Sequence, residues 1–283
     1  MNLDDVVIQG ELIYYAHQLS PDFKSLIILP ISDLHYGNPL FSLPHFKRTL
    51  NFLETPNVFG FLNGDMCESS IRTSKGEIHK QVGSPQDQRD WVIKQFLPVK
   101  HKLLGMTIGN HEERIYNEVG IDICEDIAKA LGIPYRASGM SVKISFGGGN
   151  SRHPEKPYVY WGYFTHGYGG ARTKSAKAVK VERTAAWLHS DYYVMSHDHV
   201  VNVAPDIYLM PDPRTHEEKD KDGKGTGFTV GSFKATRKML IKSNAYLKWG
   251  GYSERLGFPP VDLETPLIKL SGEGGRPKVN VEI

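Results

Sequence analysis

The chain has 283 residues, 40% hydrophobic and 23% charged, enough to bury one large core, and its formal net charge of +2 gives no global signal for nucleic acid or membrane, so any basic site must be local. Its two cysteines, Cys67 and Cys124, lie far apart and outside metal-type spacing, which excludes a disulfide framework and suits small buried residues in a reducing cytoplasm. The opening MNLDDVVIQG lacks an apolar leader and no later run is long enough for a bilayer span, so a soluble cytoplasmic protein with no membrane partner is expected, as a single domain over residues 1–283.

In chain order, short apolar runs each stop at a polar cluster. SLIILPI precedes Asp33 and His35, NVFGFL precedes Asn63-Gly64-Asp65, KLLGMTI precedes Gly109-Asn110-His111-Glu112, YVYWGYF precedes His166, and DYYVM precedes Ser196-His197-Asp198-His199. These are predicted to be buried strands ending in functional loops. Helical patterns begin between them near Pro44, Pro85, Glu112 and Arg172, the third running unbroken as EERIYNEVGIDICEDIAKALG. After His199 come alternating or aromatic runs, VVNVAPDIYLM, GTGFTVGSF, NAYLKWGGY, TPLIKLS and PKVNVEI, which predict mostly strand. The sum is an α/β chain of two mixed sheets packed face to face with helices outside and loops meeting at one end. Two polar stretches, 72–89 and 212–227, are expected to be mobile loop excursions.

The loops carry the chemistry. Asp33 and His35, one residue apart, place both side chains on one face of a strand end. Gly64 lets the backbone turn closely beside Asp65, whose carboxylate can offer one oxygen to each of two cations. Asn110 is a neutral oxygen ligand at a strand-to-helix junction, His111 can give or take a proton, and His166, His197 and His199 add imidazoles suited to zinc, iron, nickel or manganese. Singly, each residue reads as an ordinary turn, surface or core residue. Five strand ends delivering Asp/His, Asp, Asn/His, His and His/His in one chain is a pattern that packing alone gives no reason to expect.

The series DLH, NGD, GNHE, THG and SHDH resembles the motifs of the calcineurin-like metallophosphoesterases over about residues 26–200. The resemblance implies a four-layer αββα sandwich with a metal pair at the sheet ends. One cation would be held by Asp33, His35 and His199 and the other by Asn110, His166 and His197, with Asp65 bridging. His111 would stand over the substrate phosphate, steadying charge or protonating the leaving oxygen, a role that suits a group titrating near neutrality. The implied cofactors are two divalent ions, manganese for activity with zinc, iron or nickel as alternatives, and a water shared between them would lose its proton to become the nucleophile. The chain departs from the family pattern at Ser196, where glycine usually stands; serine fits there provided the backbone needs no positive φ. The loop after Asp65, MCESS, lacks the Val-Asp-Arg-Gly continuation of the Ser/Thr protein phosphatase branch.

Candidate substrate contacts are Arg114, one helical turn beyond His111, together with Tyr168, Arg172, Lys174 and Lys177 in GYGGARTKSAKAVKVERTAAWL. The basic residues form either a phosphate-tracking wall or a solvated helix face, and Arg114 either clamps phosphate or pairs with Glu118. Trp161, Tyr163 and Tyr36 are expected in packing. HGYGGARTKSAK also resembles phosphoesterases of bacteriophage and prophage gene sets. The expected activity is therefore a phosphodiesterase or nuclease acting on DNA, RNA or a nucleotide diester; a phosphomonoesterase acting on a nucleotide, sugar phosphate or phosphoprotein is the alternative, and a noncatalytic scaffold the third reading. The oligomeric state is left open.

Overall fold

The computed structural model describes residues 13–74, 78–148, 156–171, 173–255, 257–274 and 277–283. One sheet contains β2 (Ser25–Ile31), β3 (Val58–Asn63), β4 (Leu103–Thr107), β5 (Tyr135–Arg136), β11 (Leu267–Ser271) and β12 (Val279–Glu282), in the order β12-β11-β2-β3-β4-β5. The other contains β1 (Tyr14–Gln18), β6 (Met140–Phe146), β7 (Tyr158–Thr165), β8 (Tyr192–Met195), β9 (Asn202–Lys219) and β10 (Gly225–Lys242), in the order β1-β6-β7-β8-β10-β9. Both sheets mix parallel and antiparallel pairs. The helices are α1 (Leu43–Leu53), α2 (Pro85–Phe96), α3 (Asn110–Val119), α4 (Ile123–Leu131), α5 (Lys174–Ala185) and α6 (Tyr252–Arg255).

Three apolar clusters mark three interfaces and hence four layers. The first packs residues of α1, α2 and α4, such as Phe46, Phe96 and Ile127, on the outer face of the β3-containing sheet. The second lies between the sheets, where Phe61 of β3 stacks on Phe164 of β7 at 3.9 Å. The third joins Val181 and Ala185 of α5 to Tyr193 and Leu240 of the other sheet. Every residue of β3 and β4 is buried, as covering both faces of parallel strands requires, whereas β6 and β7 alternate between buried and half-buried. Cys67 and Cys124 are free and buried in the first cluster, and Tyr36 stacks on Trp91 at 3.6 Å.

Several expectations change. The unbroken helical pattern after Glu112 divides, because Gly120 takes a left-handed φ of 72° at the end of α3 and Asp122 caps α4 by accepting from the Glu125 amide. NAYLKWGGY is not a strand; it runs beside the loop after β2, with the Tyr246 amide donating to the Asp33 carbonyl at 3.0 Å, the Lys248 amide to the Leu40 carbonyl at 2.9 Å, and an isolated Phe41–Leu247 bridge between. The stretch 212–227 is not a loop but the outer half of the β9–β10 hairpin, whose turn lies between Lys219 and Gly225. Residues 85–89 belong to α2, opened by a capping box in which Ser84 and Asp87 exchange hydrogen bonds. The described part of 69–84 is stitched down, with Gln81 accepting from the Ser70 amide and Gln88 from the Ser69 amide. Among the described residues no helix is long and apolar enough to cross a membrane.

His45 of α1 is 7% exposed beneath the ring of Tyr246, with Arg48 at its Nδ1 and Thr265 at its Nε2. Burial, then the Arg48 charge, lowers its pKa from 6.5 to about 4. The folded protein resists the proton that the unfolded chain accepts, so this contribution to stability is complete above pH 6.5 and is lost as pH falls toward 4. It amounts to about 2 kcal/mol by pH 5. Thermal melts at pH 7.5 and 5 should show that loss in the wild type and a smaller one in His45→Gln.

Candidate metal centre

The five predicted loops converge, and strained backbone does the aiming. Among the described residues, the non-glycine positions with positive φ are Asp33, His35, Asp65, Ser69, His197 and His199, five of them predicted ligands. Each such position costs on the order of 1–2 kcal/mol, which the surrounding packing must offset. Asp33 and His35 therefore share a direction through left-handed turns beyond β2, not through strand alternation. Gly64 and Gly109 let two loops touch: a Cβ on Gly109 would overlap Asp65, and one on Gly64 would come within 2.6 Å of the Gly109 nitrogen.

Each carboxylate is oriented by one backbone amide. Asp65 Oδ1 accepts from the His111 amide at the start of α3, 2.8 Å away, leaving Oδ2 at 3.2 Å from His166 Nε2 and 3.7 Å from His35 Nε2. Asp33 Oδ2 accepts from the His197 amide at 3.1 Å; Oδ1 is buried with no hydrogen-bond donor among the described residues and lies 3.2 Å from His199 Nε2.

The imidazoles are oriented from behind. His35 Nδ1 lies 3.2 Å from Glu68 Oε2, His166 Nδ1 2.8 Å from the Asn63 carbonyl, and His197 Nε2 2.7 Å from the Gly169 carbonyl. Protons placed on those nitrogens leave lone pairs on the inward ones. Inward atoms then face one another: His35 Nε2 and His199 Nε2 at 3.2 Å, His166 Nε2 and Asn110 Oδ1 at 3.1 Å, and His197 Nδ1 and Asn110 Oδ1 at 2.6 Å. Acceptors turned on acceptors repel unless positive charge lies among them. Ligands about 2.0–2.2 Å from one ion stand roughly 3–3.5 Å apart, the spacing found for most of these pairs. Asp33, His35 and His199 form one group of mutually close donor atoms, and Asp65, His166 and His197 another; a third joins His35, Glu68 and His111.

Protonation follows the same field. Burial would lower His35 and His166, but Glu68, Asp65 and Asp33 hold His35 up at about 9, and Asp65 and Asp33 hold His166 up at about 10. Burial would raise Asp33 and Asp65; their histidine neighbours hold both below the usual carboxylate range. Glu68 falls to about 2 because His35 outweighs its burial. His111 departs from the near-neutral expectation: burial, together with His35, pushes it down to about 4 despite Asp65 and Glu68. Its Nδ1 lies 2.6 Å from the Glu68 carbonyl, which places the proton of the neutral ring on that nitrogen.

The predicted substrate contacts separate. Arg114 donates to Ser74 Oγ at 2.5 Å, while Glu118 accepts from Thr73 at 3.0 Å. Tyr168 is 55% exposed beside Gly169, and Lys174 is exposed at the start of α5. Arg172 lies outside the described residues. Lys177 differs most from expectation, being buried and donating to the Asp198 carbonyl at 2.9 Å, behind the His197–His199 loop.

The sequence reading missed the supports. Glu112, fully buried, accepts from the amides of Asp65 (3.1 Å) and Cys67 (2.8 Å), and burial followed by the Asp65 charge raises its pKa. Asn63 donates to the Thr165 carbonyl and to Ser196 Oγ, and Ser196 Oγ also meets Ser243 Oγ at 2.7 Å. Ser196 has no positive φ, so the serine fits and its hydroxyl ties three strand ends together. Asp198 lies 2.7 Å from both Lys180 and Lys242. Glu112 was visible as the last letter of GNHE; nothing local marks Glu68, Ser243 or Lys242.

No family model matches the sequence, and no curated protein matches it. Among solved structures it is similar to wild-type Vps29 complexed with zinc from Entamoeba histolytica, with 11% identity, 91% of this chain and 98% of that one covered, and a TM-score of 0.32. It is similar to a metallophosphoesterase from Sphaerobacter thermophilus, with 15% identity, 91% and 89% covered, and a TM-score of 0.33. It is similar too to the NAD nucleotidase of Haemophilus influenzae, with 12% identity, 90% and 49% covered, and a TM-score of 0.40. At these identities the likeness is one of fold alone.

Glu112→Ala would leave the Asp65 and Cys67 amides buried without their acceptor, costing about 2–4 kcal/mol. Denaturant unfolding should register that loss, and the metal bound per chain, measured by mass spectrometry, should fall with it.

Proposed function

We propose that the chain is a dinuclear metal-dependent phosphoesterase of the calcineurin-like type. The observation that carries this reading is Asp65 Oδ2 placed between His166 Nε2 and His35 Nε2, a carboxylate positioned for sharing. Asp33, His35 and His199 would hold one ion, Asn110, His166 and His197 the other, with Asp65 common to both. When bound, such a pair supplies positive charge to phosphoryl oxygens and lowers the pKa of a water molecule.

The chain's own residues orient and hold protons. Glu68 and the carbonyls of Asn63 and Gly169 hold the single proton of each neutral ring on its outer nitrogen, so the inward nitrogens of His35, His166 and His197 would offer lone pairs to an ion. His111, anchored through Nδ1 to the Glu68 carbonyl, offers Nε2 as a fixed proton acceptor or hydrogen-bonding partner beside the site. His199, 31% exposed at its side chain, marks the side open to substrate.

Within this class we favour a phosphodiester of a nucleotide or nucleic acid. Tyr168 supports it: the neighbouring Gly169 carbonyl is bonded to His197, which sets an exposed ring at the rim where a second esterified group would stack. The monoester reading draws on Arg114, whose bond to Ser74 ties the loop after Asp65 to α3 beside His111 and could close over a terminal phosphate.

A panel of aryl diester, aryl monoester, and single- and double-stranded DNA, assayed with added manganese, separates these readings. Diester turnover is expected; turnover of monoesters alone would select the second reading, and none by metal-loaded protein would reject both. In the same assay His111→Ala should lower kcat by about 100-fold or more while metal content is unchanged. Asp65→Asn should lower metal content and activity together.

A further inference from the structure

β10 runs through two environments. Its inner residues 239–242 are paired to β8 on one side and β9 on the other, and are buried. From Lys238 outward, among the described residues, only β9 pairs with it. Residues 206–219 and 225–238 form a two-stranded ribbon on the order of 45 Å long, at about 3.3 Å per residue.

Cross-strand partners share a face, so the register sets the ribbon's two sides. Ile207 lies opposite Arg237, Leu209 opposite Ala235, and Pro211 opposite Phe233. At the root this face carries Val203, Met239 and Ile241 into the space between the sheets. Farther out it is open: Ile207, Leu209 and Phe233 are 59%, 66% and 66% exposed. The core-facing stripe thus continues beyond the core, on a ribbon of a kind that is marginal in water by itself.

We infer that this stripe is covered by the same stripe of a second copy of the chain, two arms packing face to face about a twofold axis. Three observations select that occupant. Edge strand β9 carries Pro205, Pro211 and Pro213, which lack amide donors and oppose addition of a further strand, so a partner meets the face and not the edge. Residues 206–237 hold six acidic and six basic side chains, and Asp212 already binds Arg214 at 2.6 Å and Lys234 at 2.8 Å. A balanced arm has no field to select nucleic acid or a strongly charged protein, and tolerates its own copy. Finally, Ile207, Leu209 and Phe233 with the flanking Pro211, Ala235 and Arg237 stem present roughly 500 Å² per copy, so a symmetric pair reaches the ~1,000 Å² that a specific interface needs. The interface is isologous, each Leu209 and Phe233 meeting the other copy's stripe.

Sedimentation velocity of the full chain over roughly 1–100 µM should show a reversible monomer–dimer equilibrium. Leu209→Asp and Phe233→Asp, both at exposed positions, should each weaken the dimer by about tenfold or more, with circular dichroism unchanged and with the thermal midpoint unchanged at concentrations where the wild type is monomeric. A wild type that stays monomeric throughout overturns the inference, as does a dimer that survives both substitutions. A monomer that instead floats with anionic lipid vesicles, and loses that on Leu209→Asp, assigns the face to a membrane and equally overturns it.

Discussion

One oxygen of Asp65 is fixed by the His111 amide at 2.8 Å and the other is aimed between His166 and His35, 3.2 and 3.7 Å from their Nε2 atoms. A carboxylate divided in this way cannot relax toward one neighbour without losing the other, so every element that feeds the site must arrive in register. β3 delivers Asp65, α3 its amide, β7 His166 and the β2 loop His35. The inter-sheet stack of Phe61 on Phe164 lies on the two strands that carry Asp65 and His166, and Asn63 bonds the end of one to the Thr165 carbonyl of the other. Packing of the sheets and geometry of the site are therefore one constraint.

The site stores unfavourable energy in two forms. Five candidate ligands hold left-handed backbone, and inward lone pairs stand 2.6–3.2 Å apart. Neither would persist in a soft framework. β3 and β4 are buried throughout, and Glu112 pins the Asp65–Cys67 turn from beneath with two amide bonds. The raised His35 and His166 and the depressed carboxylates are the same repulsion expressed as proton affinity: with acceptors so arranged, the pocket takes up positive charge.

The strand ends and the residues on them were legible because burial of a parallel strand writes a continuous apolar run, and the polar residue that stops it stands out. The five runs before Asp33, Asn63, Gly109, His166 and Ser196 are the strands β2, β3, β4, β7 and β8. What local pattern could not reveal depends on distant partners. Lys177 reads as one more basic residue on a helix, yet it is buried because the Asp198 carbonyl lies against that face of α5. His111 reads as a neutral-range titrating group, yet burial moves it to about 4. The hairpin outer half reads as a charged glycine-rich loop, since its pairing is set by register with β9 and not by alternation within either strand.

Asp198 shows how the least visible residues connect the periphery to the centre. It separates the two histidines of the last motif, and its side chain turns away from them to meet Lys180 of α5 and Lys242 at the inner end of β10, each at 2.7 Å. Lys242 also donates to the Ser196 carbonyl, while Lys177 donates to the carbonyl of Asp198 itself. Three lysines thus hold one four-residue loop from two elements. Removing any one would leave buried charge or a buried carbonyl unmatched. Lys242 sits on the strand whose outer half forms the exposed arm, so one β-strand runs from the arm to the loop that carries His197 and His199, where it meets the Ser196 carbonyl at 2.8 Å.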